Sequence, residues 1–232
     1  MAEIRAITLD LDGTLWDVWG VLARAEELLH HWLKTHYPVI AARFDATGIR
    51  ALRAEVLENE PGIAHDPTLI RRACLRLAAE QVGCEDFCVD SAFRVFHDAR
   101  QQVEPFDDVL PVLERLVRRY PLVALTNGNA EITRTPLGHL FSFAITAGDI
   151  GSAKPDPAMF HAARERLGLV PAEIVHVGDD PEHDVLGASA VGYRSVWLNR
   201  DGRDWPGGQR ADAEIRSLVE LEALLADWSG RV

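Results

Sequence analysis

Apolar and polar positions follow two different periods along the chain, and the change of period divides the sequence. Residues 4–9 form a mostly apolar run, which predicts a buried parallel β-strand because such strands are covered on both faces. Between residues 18 and 103, apolar residues recur at spacings of three and four, for example over residues 23–33, and this pattern predicts amphipathic helices. The Asp-Pro-Thr sequence at residues 66–68 is typical of the cap and first turn of a helix.

Beyond residue 105, helical and strand-like segments follow one another in turn. The predicted strands cover residues 122–126, 143–146, 174–177 and 194–198. The predicted helices cover residues 109–119, 157–167, 184–191 and 218–228, with a further helical piece at 131–140 that Pro136 interrupts and a polar loop at 199–209. This alternation predicts a doubly wound α/β fold around a parallel, Rossmann-like sheet.

The helical stretch interrupts the sequence of the predicted α/β core. We expect residues 1–17 and 105–232 to form that core and residues 18–104 to form an inserted helical domain. Because the insertion directly follows the first strand, it is expected to cap the carboxyl ends of the strands. Ligand sites of open α/β sheets lie at those ends.

Composition narrows the possible partners. The 232 residues are 47% hydrophobic, enough for one well-buried core, and the formal net charge of -12 disfavours nucleic acid or an anionic membrane as a partner. No uncharged apolar run is long enough for a membrane span and no signal-peptide layout is present, so a cytoplasmic protein is expected. Cys74, Cys84 and Cys88 lack metal-site spacing and are interpreted as reduced thiols. The sequence leaves the oligomeric state open.

Two aspartates follow the first strand directly. If the strand stays extended, Asp10 and Asp12 lie on the same side of it, and Gly13 then allows a sharp turn. Two carboxylates held close in a partly buried site require a cation or a shared proton, and oxygen ligands favour Mg²⁺. The alternative is that one aspartate caps the next segment and the other is a solvated loop charge.

Polar residues also follow three of the later strands, and parallel topology brings all these strand ends to one edge of the sheet. Taken singly, they fit an ordinary Asn-Gly turn, a surface lysine and an acidic helix start. In chain order these residues are Thr126 and Asn127 after the second strand, Lys154 before a proline after the third, and Asp179, Asp180 and Asp184 after the fourth.

The ordered set of motifs, DxDGT, TN, KP and GDD with a further aspartate, resembles that of the haloacid dehalogenase superfamily. The resemblance spans essentially the whole chain, and the helical insertion is similar to the helical cap of that superfamily. It implies a Mg²⁺-dependent phosphatase that acts on a phosphate monoester through an aspartyl-phosphate intermediate.

The same resemblance implies a role for each acidic residue. Asp10 would be the nucleophile, and Asp12 would protonate the leaving group and then activate the hydrolytic water. Mg²⁺ would be bound by the Asp10 carboxylate, the Asp12 main-chain carbonyl and Asp179. Asp180 or Asp184 would complete the metal shell or support it from behind.

The remaining implied roles concern the phosphoryl group. Thr126 and the main chain of Asn127 would bind its oxygens, and Lys154 would neutralise charge in the transition state and keep Asp10 ionised. The presence of Asp12 argues against the dehalogenase branch. Enzymes of that branch resemble this chain at Asp10 but lack the second aspartate, because a halide leaves without an acid. A binding module without catalytic activity would have little use for all four motifs.

Within the superfamily, residues 61–66, 124–130 and 176–180 are similar to the bacterial FMN phosphatase and ribitylaminouracil phosphate phosphatase branch. The substrates implied are FMN and the ribitylaminouracil phosphate of riboflavin biosynthesis. Phosphatases of sugar phosphates or nucleotides, a 2-haloacid dehalogenase and a binding module are the alternatives. Three tryptophans near the first motif or early in the cap are interpreted as packing the cap onto the core, and the alternative is that an indole stacks on a flat heterocycle. They are Trp16, Trp19 and Trp32.

Overall fold

The computed structural model describes residues 2–229, which divide into two compact units. One unit comprises residues 18–103, and the other comprises the described residues before 18 and after 103. No helix in the described part of the chain is long and apolar enough to cross a membrane.

The unit of residues 18–103 is entirely helical. Its helices are α1 (Val18–His36), α2 (Pro38–Arg43), α3 (Gly48–Ala51), α4 (Arg53–Asn59), α5 (Pro67–Gln81) and α6 (Val89–Arg100). Leu29 and Leu33 of α1 belong to an apolar core that also includes Phe96 of α6. The predicted cap of α5 is present, because the Asp66 carboxylate accepts hydrogen bonds from the main-chain N–H of Thr68 at 2.7 Å and of Leu69 at 3.3 Å.

The second unit is built on one parallel six-stranded sheet with the strand order β3-β2-β1-β4-β5-β6. This arrangement confirms the predicted doubly wound α/β fold. The strands are β1 (Ala6–Leu9), β2 (Leu122–Thr126), β3 (Phe143–Thr146), β4 (Ile174–Gly178), β5 (Arg194–Leu198) and β6 (Ala213–Ile215). Strand β6 was not predicted, because three residues are too few to show a period.

Side chains of alternate strand residues form one covered face of this sheet. Ala6 of β1 and Val123 of β2 pack there with Phe160, which comes from a helix at residues 157–167. Thr8 shares the face of Ala6 and lies beside His176 of β4 in the parallel register. The helices of this unit are α7 (Val109–Leu116), α8 (Ala147–Ile150), α9 (Pro157–Leu167), α10 (Gly187–Ala190) and α11 (Val219–Trp228).

Two predicted helices differ from the observed structure. The segment 131–140 forms two single 3₁₀ turns, Ile132–Arg134 and Gly138–Leu140, because Pro136 lies between them and lacks the N–H that a continuous helix requires. The helix predicted at 184–191 instead begins with a π-helical turn over Pro181–Leu186 and continues as α10.

Candidate active site

A cavity of about 300 Å³ lies at the carboxyl ends of β1, β2 and β4. The predicted site residues come together there, although they are widely separated in sequence. Its lining consists of Asp10, Asp12, Thr126, Asn127, Gly128, Lys154, Asp179, Asp180, His183 and Asp184.

Lys154 lines this cavity and is 2% exposed. Its ammonium donates to Asp10 Oδ1 at 2.7 Å, to Asp184 Oδ1 at 2.6 Å and to the main-chain carbonyl of Leu125 at 2.8 Å. Burial alone would lower the pKa of Lys154, but the two carboxylates outweigh it and raise that pKa. Lys154 is therefore a permanent cation whose three N–H groups are all used by the protein.

Asn127 fixes the main chain of Lys154. Its Oδ1 accepts from the Lys154 N–H at 2.8 Å and its Nδ2 donates to the Lys154 carbonyl at 2.9 Å. The following Lys154-Pro155 peptide is cis. The sequence predicted a role for the main chain of Asn127 but not this role of its side chain, because parallel topology brings the strand ends to one edge without showing which groups bond to each other there.

Asp184 is held by a buried histidine, His176, which was not predicted as a site residue. His176 Nε2 lies 3.2 Å from Asp184 Oδ1, and its Nδ1 lies 2.8 Å from the hydroxyl of Thr8. The other Asp184 oxygen accepts from the main-chain N–H of Asp180 at 3.0 Å. Burial lowers the pKa of His176, so we assign a neutral ring that donates from Nε2 and accepts at Nδ1. The ring of Phe160 packs nearly perpendicular to that of His176, with 5.2 Å between the ring centroids.

The carboxylates of the site differ in how readily they ionise. Burial raises the pKa of Asp10 well above its usual range, and Lys154 only partly opposes this. Burial would also raise the pKa of Asp184, but Lys154 and His176 lower it below its usual range. Burial and then the charge of Asp184 raise the pKa of Asp179 to about 6. Of the two carboxylates that share the Lys154 cation, Asp184 therefore ionises more readily than Asp10.

Three of these carboxylates are close enough to bind one metal ion. Single oxygens of Asp10, Asp179 and Asp184 all lie within 4.8 Å of one another. Carboxylate oxygens are the ligands that Mg²⁺ prefers, and a divalent cation among them would offset the like charges that raise the pKa of Asp179. This donor set fits Mg²⁺.

Asp180 also lines the cavity, but its side chain caps a helical turn. Its Oδ1 accepts from the main-chain N–H of Glu182 at 2.9 Å and of His183 at 2.8 Å, so it caps the π-helical turn. Its other oxygen lies 3.4 Å from His183 Nδ1. Among the two aspartates that the sequence left as alternatives for completing the metal shell, the geometry favours Asp184.

Asp179 is positioned by the turn after β1 and by the end of β5. Thr14 Oγ1 donates to its Oδ1 at 3.2 Å, and the indole of Trp197 donates to its main-chain carbonyl at 2.9 Å. Gly13 has a φ of +84°, and a Cβ there would lie 2.7 Å from each carboxylate oxygen of Asp179. Glycine is thus required at this position both by its backbone conformation and by the close approach of Asp179.

Thr126 and Asp12 complete the cavity. Thr126 Oγ1 accepts from the Gly128 N–H at 2.9 Å, which orders the turn after β2. Asp12 lies across the turn from Trp16, whose indole Nε1 donates to Asp12 Oδ1 at 2.7 Å. The indole of Trp16 is fully buried, whereas Trp19 is 69% exposed, so the packing interpretation is wrong for Trp19.

A parallel α/β sheet with acidic side chains and a buried lysine gathered at its strand ends defines an enzyme of the α/β class with a polar catalytic centre. Comparison with known proteins gives the family. The chain belongs to the haloacid dehalogenase-like hydrolases, whose family model matches residues 4–192.

Relatives within this family carry two different activities in their names. The 5-amino-6-(5-phospho-D-ribitylamino)uracil phosphatase YigB of Escherichia coli is 32% identical over 97% of this chain and 98% of its own length. The crystal structure of a 2-haloacid dehalogenase from Pseudomonas syringae pv. Tomato DC3000 has a TM-score of 0.89 at 36% identity, covering 97% of this chain and 99% of that chain. A HAD phosphatase from Thermococcus onnurineus has a TM-score of 0.68 at 27% identity, covering 96% of this chain and 98% of that chain.

Proposed function

We propose that the chain is a Mg²⁺-dependent phosphatase that hydrolyses a small phosphate monoester through an aspartyl phosphate on Asp10. The observation that carries this proposal is the presence of Asp12 beside Asp10 in the cavity that also holds the acidic cluster. An alkoxide leaving group needs a proton, and a second carboxyl group supplies it. Displacement of a halide requires neither that group nor a metal ion.

In the first step, a carboxylate oxygen of Asp10 attacks phosphorus and the phosphorus–oxygen bond to the leaving group breaks. Asp12 gives its proton to the departing oxygen. Lys154 holds Asp10 by its Oδ1 and favours its ionised form, which offsets part of the cost of burying that carboxylate. Since the N–H groups of Lys154 already bind protein oxygens, its charge acts on the phosphoryl group through space.

In the second step, Asp12 takes a proton from water, and that water attacks phosphorus. The bond between phosphorus and Asp10 breaks, which releases inorganic phosphate and restores the Asp10 carboxylate. The Thr126 hydroxyl and the main-chain N–H of Asn127 bind phosphoryl oxygens in both steps.

Mg²⁺ would be held by the carboxylates of Asp10, Asp179 and Asp184, together with the main-chain carbonyl of Asp12. When bound, it would supply positive charge that reduces repulsion between the nucleophile and the phosphate dianion. Thr14 and Gly13 keep Asp179 in place for this purpose. His176 does the same for Asp184 from behind.

Alanine at position 13 is expected to disturb this arrangement, because its Cβ would displace Asp179. We expect Gly13→Ala to lower the rate of phosphate release about 10²-fold and to raise the Mg²⁺ concentration needed for half-maximal rate. Gly168→Ala is the matched control: its φ of +66° imposes similar backbone strain, but a Cβ there meets nothing within 4 Å. Equal losses of rate in the two variants would show that backbone strain alone is responsible.

For the substrate, we propose the phosphate ester of a ribityl-bearing heterocycle, either ribitylaminouracil phosphate or FMN. The support is similarity to the Escherichia coli phosphatase named for the first of these compounds, which extends over nearly the whole of both chains. The second candidate function is 2-haloacid dehalogenation, which is favoured by the structural similarity to the Pseudomonas syringae dehalogenase.

One experiment separates these functions. Phosphate release from ribitylaminouracil phosphate, FMN, sugar phosphates and nucleotides is measured with Mg²⁺ and with EDTA, and halide release from 2-chloropropionate is measured in parallel. We expect Mg²⁺-dependent phosphate release, fastest with a ribityl phosphate, and a loss of about 10²- to 10⁴-fold in Asp12→Asn. Faster release from sugar phosphates or nucleotides would overturn the substrate proposal alone. Halide release that survives Asp12→Asn, without phosphate release, would establish the dehalogenase.

A further inference from the structure

The loop that follows β5 carries an arginine that reaches the turn after β1. The Nε and Nη2 groups of Arg200 both donate to the main-chain carbonyl of Thr14, at 3.3 and 3.1 Å. Nη1 of the same guanidinium donates to Asp108 Oδ2 at 3.1 Å. Its Cζ lies 4.3 Å from the centroid of the Phe106 ring. Arg200 therefore joins the loop after β5, the turn after β1 and the segment before α7 through one rigid, planar group.

The surroundings of Arg200 hold this guanidinium in place. Asp108 Oδ2 also accepts from the hydroxyl of Ser217 at 2.7 Å. In the loop itself, the buried side chain of Asn199 bonds to both main-chain groups of Arg203: its Oδ1 accepts from the N–H at 2.8 Å and its Nδ2 donates to the carbonyl at 2.8 Å. The segment for which the sequence predicted a polar loop therefore begins with a closed turn that carries Arg200.

Thr14 connects this guanidinium to the acidic cluster. Thr14 is fully buried, and its hydroxyl donates to Asp179 Oδ1 at 3.2 Å. Asp179 is one of the three carboxylates close enough to hold a metal ion. The described residues that line the cavity do not include Arg200, so its effect on the site passes through Thr14. Since the carbonyl and the hydroxyl belong to the same residue, fixing the carbonyl restricts where the hydroxyl can lie.

From this geometry we propose that Arg200 is a positioning residue for the metal site. By holding the main chain of Thr14, it keeps the Thr14 hydroxyl on Asp179 and so raises the affinity of the site for Mg²⁺. Removal of groups that orient a metal ligand from behind typically costs about 10- to 100-fold in metal affinity. This inference rests on the proposed function, because it requires that the site binds Mg²⁺.

The test measures Mg²⁺ affinity without turnover. An ion that binds the folded state raises the thermal unfolding midpoint, and the concentration dependence of that rise gives the dissociation constant. For Arg200→Met, we expect the Mg²⁺ dissociation constant to increase about 10-fold, and the Mg²⁺ concentration for half-maximal phosphate release to increase in parallel. At saturating Mg²⁺, kcat should stay within about threefold of the unaltered value, because the groups that touch the phosphate are unchanged.

Two results would overturn the inference. One is an unchanged Mg²⁺ dissociation constant in Arg200→Met. The other is a loss of kcat that saturating Mg²⁺ does not restore, because that loss would mean that Arg200 supports the fold of the site as a whole and not its metal affinity.

Arg115→Met is the matched control. Arg115 lies on α7 and its Nε donates to Glu222 Oε2 of α11 at 2.8 Å, so the same substitution removes an arginine ion pair from the same unit. We expect both the Mg²⁺ dissociation constant and phosphate release to equal those of the unaltered protein. An equal loss of Mg²⁺ affinity in both variants would contradict a specific role for Arg200.

A double-mutant comparison tests whether Arg200 acts through the Thr14 hydroxyl. Thr14→Val removes that hydroxyl, so in this background Arg200→Met is expected to change the Mg²⁺ dissociation constant by about threefold or less. An undiminished 10-fold effect in the Thr14→Val background would contradict the proposal.

Failure of this inference is distinguishable from failure of the proposed function. If the unaltered protein shows neither a Mg²⁺-dependent unfolding midpoint nor phosphate release, the proposed function is overturned and this inference with it. If the unaltered protein shows both and Arg200→Met binds Mg²⁺ equally well, the inference alone is overturned. Should Arg200→Met fail to fold, Arg200→Lys replaces it: the charge beside Asp108 is kept, but a single nitrogen replaces the fork that bridges two acceptors. Unaltered Mg²⁺ affinity in Arg200→Lys would then overturn the inference.

Discussion

Replacement of the nucleophile, Asp10→Asn, is expected to lower phosphate release by on the order of 10⁴-fold or more and, at the same time, to stabilise the protein. The amide still offers Oδ1 to the Lys154 ammonium, so the cavity keeps its shape. It lacks the charged oxygen that attacks phosphorus. Substantial residual release that depends on Mg²⁺ would mean that another group is the nucleophile.

The gain in stability depends on pH in a direction that follows from the raised pKa of Asp10. A carboxyl group with a raised pKa in the folded state binds its proton more tightly there than in the unfolded chain. Stability therefore falls as pH rises from the unfolded value of about 3.9 towards the folded one. In EDTA, we expect the variant and the unaltered protein to have similar unfolding midpoints in acid, with the variant increasingly more stable as pH rises to neutrality.

Asp45→Asn provides a control of opposite sign. Hydrogen bonds from Thr47 lower the pKa of this exposed carboxylate, so its stabilising effect is present above the unfolded pKa and disappears as pH falls through the folded pKa. Thermal unfolding midpoints measured between acid and neutral pH should therefore show no gain for Asp45→Asn, and its phosphate release should equal that of the unaltered protein. A gain of the same sign in both variants would indicate a general charge effect instead of one specific to Asp10.

The site residues that could be predicted from the sequence are those that follow the end of a strand. An apolar run followed by two aspartates predicts both a buried strand and its polar terminus, and the structure has β1 followed by Asp10 and Asp12 at the cavity. The same argument predicts that Lys154 and Asp179 lie near Asp10, because parallel strands present their carboxyl ends at one edge of the sheet. Both residues line the cavity.

The contacts behind these residues could not be predicted in the same way. His176 lies in an apolar run, where a histidine in a satisfied core position has the same sequence signature as one that supports a site. The choice between Asp180 and Asp184 depends on a π-helical turn, in which Asp180 takes the cap and Asp184 turns towards Lys154. No periodicity in the sequence indicates that turn, since π-helical turns are short and local.

Removal of the buried cation is expected to have the second large effect. In Lys154→Met, the carboxylates of Asp10 and Asp184 lose the ammonium that lies within 2.7 Å of both. Breaking a buried ion pair in this way typically costs about 3–5 kcal/mol, because a charge is left buried without compensation. We expect the free energy of unfolding to fall by about that amount at neutral pH and phosphate release to be lost.

The chain offers a matched control for this change, since Lys34 is its other lysine. Lys34 lies in the last turn of α1 and is exposed, so Lys34→Met removes the same charge and adds the same side chain without uncovering a buried carboxylate. We expect it to leave activity unchanged and to alter stability by about 0.5 kcal/mol or less.

The pH dependence of the Lys154→Met defect follows from the carboxylates. In the unaltered protein Lys154 lowers the pKa of Asp184, a stabilising effect that is complete above the unfolded pKa of about 4 and is lost as pH falls. In the variant that effect is absent, and both carboxyl groups are easier to bury when protonated. The difference in unfolding free energy between the variant and the unaltered protein should therefore be large at neutral pH and shrink progressively as pH falls into the acid range, where these carboxyl groups bind protons in the folded variant.

Addition of Asp184→Asn to Lys154→Met separates charge from packing. If the defect of Lys154→Met arises from an uncompensated carboxylate, removal of that carboxylate restores part of the stability, and the double variant is more stable than Lys154→Met alone. Asp184→Asn by itself should destabilise the protein, because Lys154 and His176 both lose a charged partner. Urea unfolding of all three variants at neutral pH measures this coupling. Additive losses would mean that Lys154 stabilises the fold by filling space. A rescue would instead show that the charge of Lys154 allows the carboxylates of Asp10 and Asp184 to lie buried side by side.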